Sequence, residues 1–297
     1  MCTLPVVTTA LVQRMLAAQY PQWAKLAINP VHPGGWCHHT FRLGHTMSVR
    51  LPKAACYASK VAKEHYWLPK LAPALPLPIP QPLALGSPTG AYPWHWSVYR
   101  WHPGQDATLA PAFDLQACAA DLAHFLCALH RIDTTGAPQP GAENFYRGGS
   151  LRMYDGQVKQ ALKLLKAHVD TNLAYTLWQR ALSSSWQQAP VWVHGDIAAG
   201  NLLLREGKLS AVIDFSGLVV GDPACDLVIA WTLFEAENRQ TFQTAFDFDA
   251  NTWARARGWA LWKALIICAG LPGTDVKQQP QAWAILKKLL VKHQNGS

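Results

Sequence analysis

His194, Asp196, Asn201 and Asp214 are the residues whose types and spacing suit chemistry. They lie in one run, VWVHGDIAAGNLLLREGKLSAVIDF, with Asp196 and Asn201 five positions apart and Asp214 thirteen further on. Apolar stretches flank the polar groups and read as strands, and Glu206-Gly207 between the last two is a natural hairpin turn. The hairpin folds Asp214 back beside the 196–201 loop, so two carboxylates and an amide converge. Singly, each would be explained as a polar group on a turn. Together they form the set that phosphoryl transfer from a nucleoside triphosphate needs. One carboxylate orients the attacking hydroxyl or accepts its proton, and a second, with an amide oxygen, holds magnesium against the phosphates. The run matches the kinase pattern H-R-D-x4-N followed by D-F-G, with Gly195 in place of arginine and the glycine of Asp214-Phe215-Ser216-Gly217 one place late.

The chain that must position these groups has 297 residues, enough for two lobes or one large domain. Half are hydrophobic and only 15% charged, which excludes a disordered chain. The longest apolar stretch, residues 260–271, is interrupted by Lys263 and stops at Pro272. That is short of the roughly 20 residues a membrane span requires, so no membrane association is expected. No basic segment precedes an apolar run near the start, so no secretory signal is expected. Seven widely spaced cysteines with no C-x-x-C fit reduced thiols in a cytoplasm better than a disulfide framework or a zinc knuckle.

Charge is unevenly divided. Residues 1–100 hold nine Lys/Arg against one acid, Glu64, while residues 101–297 hold seventeen of each sign, so the net +8 lies wholly in the first third. Between residues 210 and 250 seven acids face only Arg239. A polyanion such as a nucleotide suits the first part and a cation the second. No nucleic-acid-binding motif accompanies the basic part, so nucleic acid is not an expected partner.

Thr8 or Thr9 can cap a helix running to Tyr20. Residues 40–43 and 46–51 read as strands joined at Gly44. A helix follows over 54–71, with Val61, Leu68 and Leu71 on one side. The proline-rich 73–82 cannot be a helix interior. Residues 97–101 read as a strand, and the lobe boundary falls after it, giving lobes 1–101 and 102–297. Beyond it, helices are expected over 115–132, 151–168, 223–236, 253–269 and 280–292. A strand is expected over 190–193 and a hairpin over 201–215. Strands dominate the first lobe and helices the second, an α+β architecture.

These residues resemble the aminoglycoside phosphotransferase family, relatives of choline kinase with a protein-kinase-like fold. The resemblance rests on VHGDIAAGNLLL (193–204), AVIDF (211–215) and GDPACDL (221–227), and more weakly on GGWCHHTFRLG (34–44), MSVRLP (47–52) and KEHYWLPKL (63–71). It implies a bilobal fold with a small β-rich N-terminal lobe and a larger, mainly helical C-terminal lobe. It implies Asp196 as the catalytic carboxylate and Asn201 and Asp214 as magnesium ligands. His194 and Asp226 would shape the catalytic loop. Kinases hold the phosphates with a strand lysine fixed by a helix glutamate. Here Glu64 is the helix acid, and its partner would be Arg50, or Lys53 as second choice. An arginine departs from the usual lysine but binds phosphate bidentately. Gly35, after Gly34, would belong to a flap over the phosphates, and the 99–101 backbone, including Tyr99 and Trp101, would meet the base. The adjacent His38 and His39 point to opposite faces of a strand and cannot share one metal ion.

The reaction so implied moves the γ-phosphate of ATP or GTP, with magnesium, to a hydroxyl of a small, cationic molecule. An aminoglycoside antibiotic comes first, which would make the chain a resistance protein. Asp222, Glu235 and Glu237 are candidate substrate contacts, with Asp247 and Asp249 behind them. A macrolide, a choline-like alcohol or another metabolite is the alternative, with tryptophans such as Trp231, Trp259 and Trp262 as an apolar wall or aromatic box. A non-catalytic nucleotide-binding protein is a further alternative. A monomer or dimer is expected.

Overall fold

The computed structural model describes residues 6–32, 34–110 and 112–291. Helix α1 (Thr9–Gln19) starts where the Thr8 hydroxyl accepts the Leu11 N–H at 3.2 Å. Among the described residues, β1 (Ile28–Pro30), β2 (His38–Leu43), β3 (Met47–Pro52), β4 (Pro82–Gly86) and β5 (Trp96–Arg100) form a five-stranded antiparallel sheet ordered β1-β2-β3-β5-β4. Gly44, at φ +56°, makes the β2–β3 turn. The buried side of α1, with Leu11, Val12, Met15 and Leu16, joins Leu43, Val49, Leu51, Trp96 and Val98 of the sheet in one apolar cluster. Helix α2 (Ala55–Leu71) follows β3 and carries Pro69 in its last turn. Its middle faces the sheet, with Glu64 beside Arg50 and His65 bonded to Ser97, while Leu68 and Leu71, with Ile79 and Tyr99, belong to the larger second core. The two halves of the fold therefore share packing across the strand exit.

The second half is mostly helical: α3 (Leu115–His130), α4 (Asp155–Leu164), α5 (Thr171–Leu182), α6 (Ile229–Thr232), α7 (Ala236–Thr244), α8 (Ala250–Cys268) and α9 (Gln279–Leu289). Asp114, Asp170 and Asp249 cap α3, α5 and α8 through backbone N–H groups of residues 117, 173 and 252. Helix α8 is the axis of this half and packs on α4, α5 and α9. Gly258 allows the closest approach, since a Cβ there would lie 2.4 Å from that of Ala181. Two small sheets complete the fold. One pairs β6 (Gln105–Asp106), β8 (Leu202–Arg205) and β9 (Lys208–Val212), and the other pairs β7 (Val191–Val193) with β10 (Val219–Gly221).

The elements differ from expectation where local chemistry competes with periodicity. The helix expected over 223–236 is broken. Asp222 caps a short 3-10 turn at Pro223–Cys225, α6 spans one turn, and extended Glu235 starts α7 with its N–H held by Asn238. Residues 151–168 divide into a 3-10 turn and the shorter α4. The strands β1, β4, β6 and β10 and the helices α5 and α7 were not anticipated. The strands are two to five residues long, and β4, which begins at Pro82, lies at a sheet edge, where a missing N–H costs no ladder bond.

Asp222 does not belong to the substrate-facing set proposed for it. It is 6% exposed, and Arg255 of α8 clasps it, Nε to Oδ2 at 2.6 Å and Nη2 to Oδ1 at 3.4 Å. Ser184 and Thr252 accept further N–H groups of the same guanidinium. This pair lines a different cavity from the one beside Asp196. Asp222→Ala leaves a buried guanidinium uncompensated, which costs about 3–5 kcal/mol. Urea denaturation should show that loss, and an unchanged midpoint would mean the pair is solvated.

Candidate active site

The catalytic-type loop is built around one buried carboxylate. Asp226 accepts the N–H of His194 at 2.6 Å and of Gly195 at 2.8 Å. Gly195 sits at φ +83°, and a Cβ there would lie 2.4 Å from the Gly217 carbonyl oxygen, so strain and crowding both require glycine. The buried His194 ring is engaged at both nitrogens. Nδ1 accepts the Asp196 N–H at 3.1 Å, and Nε2 donates to the Ile213 carbonyl at 3.0 Å. It thus ties the Asp196 loop to the strand that delivers Asp214.

Asp196, Asn201 and Asp214 come together as the hairpin predicts. Asn201 Nδ2 donates to the Asp196 carbonyl at 2.8 Å and lies 3.3 Å from its carboxylate, while the Ile213 N–H donates to the Asn201 carbonyl at 2.9 Å. Asp214 is in the left-handed region, at φ +65°, where its Oδ1 accepts the Ser216 N–H. Among the described residues, nothing donates to Asn201 Oδ1 or Asp214 Oδ2.

Arg50 reaches this group from β3. Its guanidinium lies 3.8 Å from Glu64 Oε2 and 3.6 Å from Asp214 Oδ1, so Arg50 rather than Lys53 faces the helix acid. Burial opposes its charge, but Glu64 and Asp214 outweigh that and hold its proton more firmly than usual. Lys53 instead donates to the Gly35 carbonyl at 2.6 Å. Neither Gly34 nor Gly35 is at a positive φ, and a Cβ on Gly35 would meet nothing nearer than 3.8 Å, so the flap's backbone does not itself demand glycine there. Tyr99 and Trp101 were expected to meet the base through their backbone, and their side chains are engaged elsewhere. The Tyr99 side chain is buried and its hydroxyl donates to Glu64 Oε2. The N–H groups of Arg100 and Trp101 are taken by the Gln81 and Thr46 carbonyls, and Arg42 lies 4.0 Å over the Trp101 ring.

Four side chains that sequence reasoning passed over belong here. His38, weighed in the sequence as a metal ligand, is buried, and its Nδ1 lies 3.3 Å from Arg50 Nη2. Burial first, then Arg50, keep its ring neutral and able to accept. Lys63 of α2 donates to the carbonyls of Ser216 at 2.9 Å and Leu218 at 3.0 Å, and burial pushes its pKa down to about 8. Lys263 of α8 lies 3.4 Å from Asp196 Oδ1. Arg147 lies 5.3 and 5.4 Å over the Trp259 and Trp262 rings. Burial would raise the Asp196 carboxyl, but Lys263 and Arg147 hold it well below the usual carboxylate range. The only sequence signal for Lys263 was its place as the one charge in the apolar stretch 260–271.

A cavity of about 450 Å³ opens beside Asp196, with Arg147, Trp259 and Lys263 on its walls. Glu235 and Glu237 are not among its lining residues. Glu235 pairs with Lys288, and Glu237 is exposed in the first turn of α7. The aromatic box imagined for a quaternary amine is not formed on Trp259, whose ring face already carries Arg147.

Asp226→Asn keeps one acceptor oxygen where two N–H groups are held, and should cost about 1–3 kcal/mol. Burial pushes the Asp226 carboxyl up to about 6 from 3.8. The folded chain then binds more protons there than the unfolded chain between about pH 4 and 6, so its contribution to stability falls as pH rises across that window and is level above it. Urea midpoints measured from pH 4 to 7 should lose that slope in the variant.

Residues 29–259 match the phosphotransferase enzyme family (APH). An uncharacterised Bacillus subtilis (strain 168) protein, YcbJ, is 24% identical over 184 residues, 60% of this chain, and the chain spans only 56% of that relative's length. Among solved structures, the GDP complex of an aminoglycoside 2'-phosphotransferase-IIIa mutant superposes with TM-score 0.73 at 18% identity, covering 95% of this chain and 97% of that one. A related GDP and kanamycin complex gives 0.70 at 16% identity, covering 95% and 98%. A macrolide 2'-phosphotransferase from Brachybacterium faecium gives 0.59 at 18% identity, covering 96% and 99%. The shared fold is the bilobal kinase-like one, and the chain belongs to the phosphotransferase enzyme family.

Proposed function

We propose that the chain transfers the γ-phosphoryl group of ATP or GTP to a hydroxyl of a small molecule bound beside Asp196. The observation that carries this reading is the placement of Asp196, Asn201 and Asp214 about one hairpin, with Asn201 bonded to Asp196 and to the residue before Asp214, and Arg50 reaching Asp214 from the sheet. Asn201 Oδ1 and Asp214 Oδ2 are hard oxygen donors without protein partners, and they fit magnesium, which takes few protein ligands and completes its shell with phosphate and water oxygens. When bound, that ion neutralises charge between the β- and γ-phosphates.

The chain's own residues do the rest. Arg50, positioned by Glu64 and His38, presents a fork of N–H donors to phosphate oxygens. Asp196, held ionised by Lys263 and Arg147, is a weak base in the ground state. It orients the acceptor hydroxyl and takes the proton as the new bond to phosphorus forms. His194 and Asp226 hold the loop and transfer no proton. Structural relatives solved with kanamycin or gentamicin, and the macrolide phosphotransferases, make those antibiotics acceptors to test.

Asp196→Ala should lower transfer by about 10²–10⁴-fold while nucleotide affinity stays within a few-fold. Full activity in nucleoside diphosphate release would rule Asp196 out. Asp214→Ala should remove the magnesium dependence of nucleotide binding in calorimetry, and unchanged binding would rule Asp214 out as the metal ligand.

A further inference from the structure

Resting on the phosphotransferase reading, we infer that the acceptor is an alcohol bearing a carboxylate on a compact, largely apolar body, and not a polycation. The charges on the cavity beside Asp196 decide this. Three ionised side chains line it: Asp196, Lys263 and Arg147. Lys263 lies 3.4 Å from Asp196, so those two offset each other. Arg147 acts on Asp196 and Asp226 only from beyond ion-pair distance. Among the described residues no carboxylate lies within 4.0 Å of its guanidinium and no acceptor takes its N–H groups, while Trp259 and Trp262 hold it in place by their faces. Asp226 stands behind the loop with both oxygens given to backbone N–H groups.

Trp259 on the same wall is 1% exposed and its indole N–H is buried, so the Arg147 guanidinium is the donor an anion would meet there. A guanidinium fork meets a carboxylate with two parallel N–H···O bonds. The rest of the lining includes the apolar Val228, Ala264, Ile267 and Ile285, and the remaining polar lining, such as Gln278 and Gln281, is neutral. A polycation entering here would meet two cations and one carboxylate that is already paired. The acids that might have received it are placed or occupied elsewhere: Glu235 by Lys288, Asp222 by Arg255, and Asp249 by the α8 N-terminus. A site that sets like charge against a ligand rejects it as surely as another site selects it. The volume, about 450 Å³, suits a compact molecule.

In the transfer, the acceptor's hydroxyl oxygen forms a bond to the γ-phosphorus and the bond from that phosphorus to the β,γ-bridging oxygen breaks. Nucleoside diphosphate leaves, and the hydroxyl proton passes to Asp196. Arg147 holds the carboxylate throughout.

The test uses the full chain and a panel of aliphatic and aromatic hydroxycarboxylates. Each is set beside its methyl ester and the amino alcohol of the same skeleton, with kanamycin included. Diphosphate release with magnesium and ATP or GTP is followed, the phosphorylated product is identified by mass, and binding of each compound to nucleotide-free protein is measured by calorimetry. At least one acid should bind and stimulate turnover tenfold or more above its ester and amino alcohol. Arg147→Gln should raise KM for that acid at least tenfold, with a smaller change in kcat, and Arg147→Lys should recover part of the loss. Gln281→Glu, on the exposed rim, adds a carboxylate without disturbing the core and should weaken the acid likewise. Kanamycin or an amino alcohol turned over while the acids are inert would overturn the inference and leave the phosphotransferase standing. So would acids that neither bind nor react. Acids bound through Arg147 by a protein that binds no nucleotide would support the site and sink the phosphotransferase reading alone.

Discussion

A guanidinium partly withdrawn from water needs carboxylates beside it, and the Arg50 site meets that requirement. Glu64 comes from a helix, Asp214 from the turn after a distant hairpin and His38 from the neighbouring strand. Together they offset the hydration that the 17% exposed Arg50 side chain gives up. The order of the sheet, the length of α2 and the return of the hairpin all meet this condition. A lysine would end in one compact charge, whereas the guanidinium is broad enough to face two carboxylates at 3.8 and 3.6 Å. The departure from the usual strand lysine therefore changes the local wiring. The strand cation here contacts the Asp214 carboxylate as well as the helix acid.

Much of this was legible in the sequence, for identifiable reasons. The 191–214 run carries its own geometry: apolar strands with a two-residue turn between them fix which side chains meet. The pairing of Arg50 with Glu64 was also legible, since the lobe holds a single acid. The placement of the acids named as substrate candidates was not. Counting acids between residues 210 and 250 treated charge as free, but Asp222 and Asp249 are spent on a buried arginine and a helix cap, and Glu235 on Lys288. Such partners lie 33 and 53 positions away for Asp222 and Glu235, beyond the reach of local patterning. For the same reason Lys263, from a helix 67 positions downstream of Asp196, gave no sign that it would reach the loop.

The short elements failed differently. Strands of two to five residues such as β1, β6 and β10 are made by their neighbours and not by their own composition. The expected 223–236 helix failed because Asp222 and Glu235 each begin a new turn, and such local starts outweigh an apolar period.

The ammonium of Lys63 has one further consequence. It bridges α2 to the carbonyls of Ser216 and Leu218, so the helix and the segment after Asp214 are fastened at two points. Swinging α2 outward must either drag that segment along or strip two acceptors from a buried cation. Helix α2 and the turn that carries Asp214 are therefore coupled: a displacement of one is carried to the other, with the Arg50, Glu64 and Asp214 contacts lying between them.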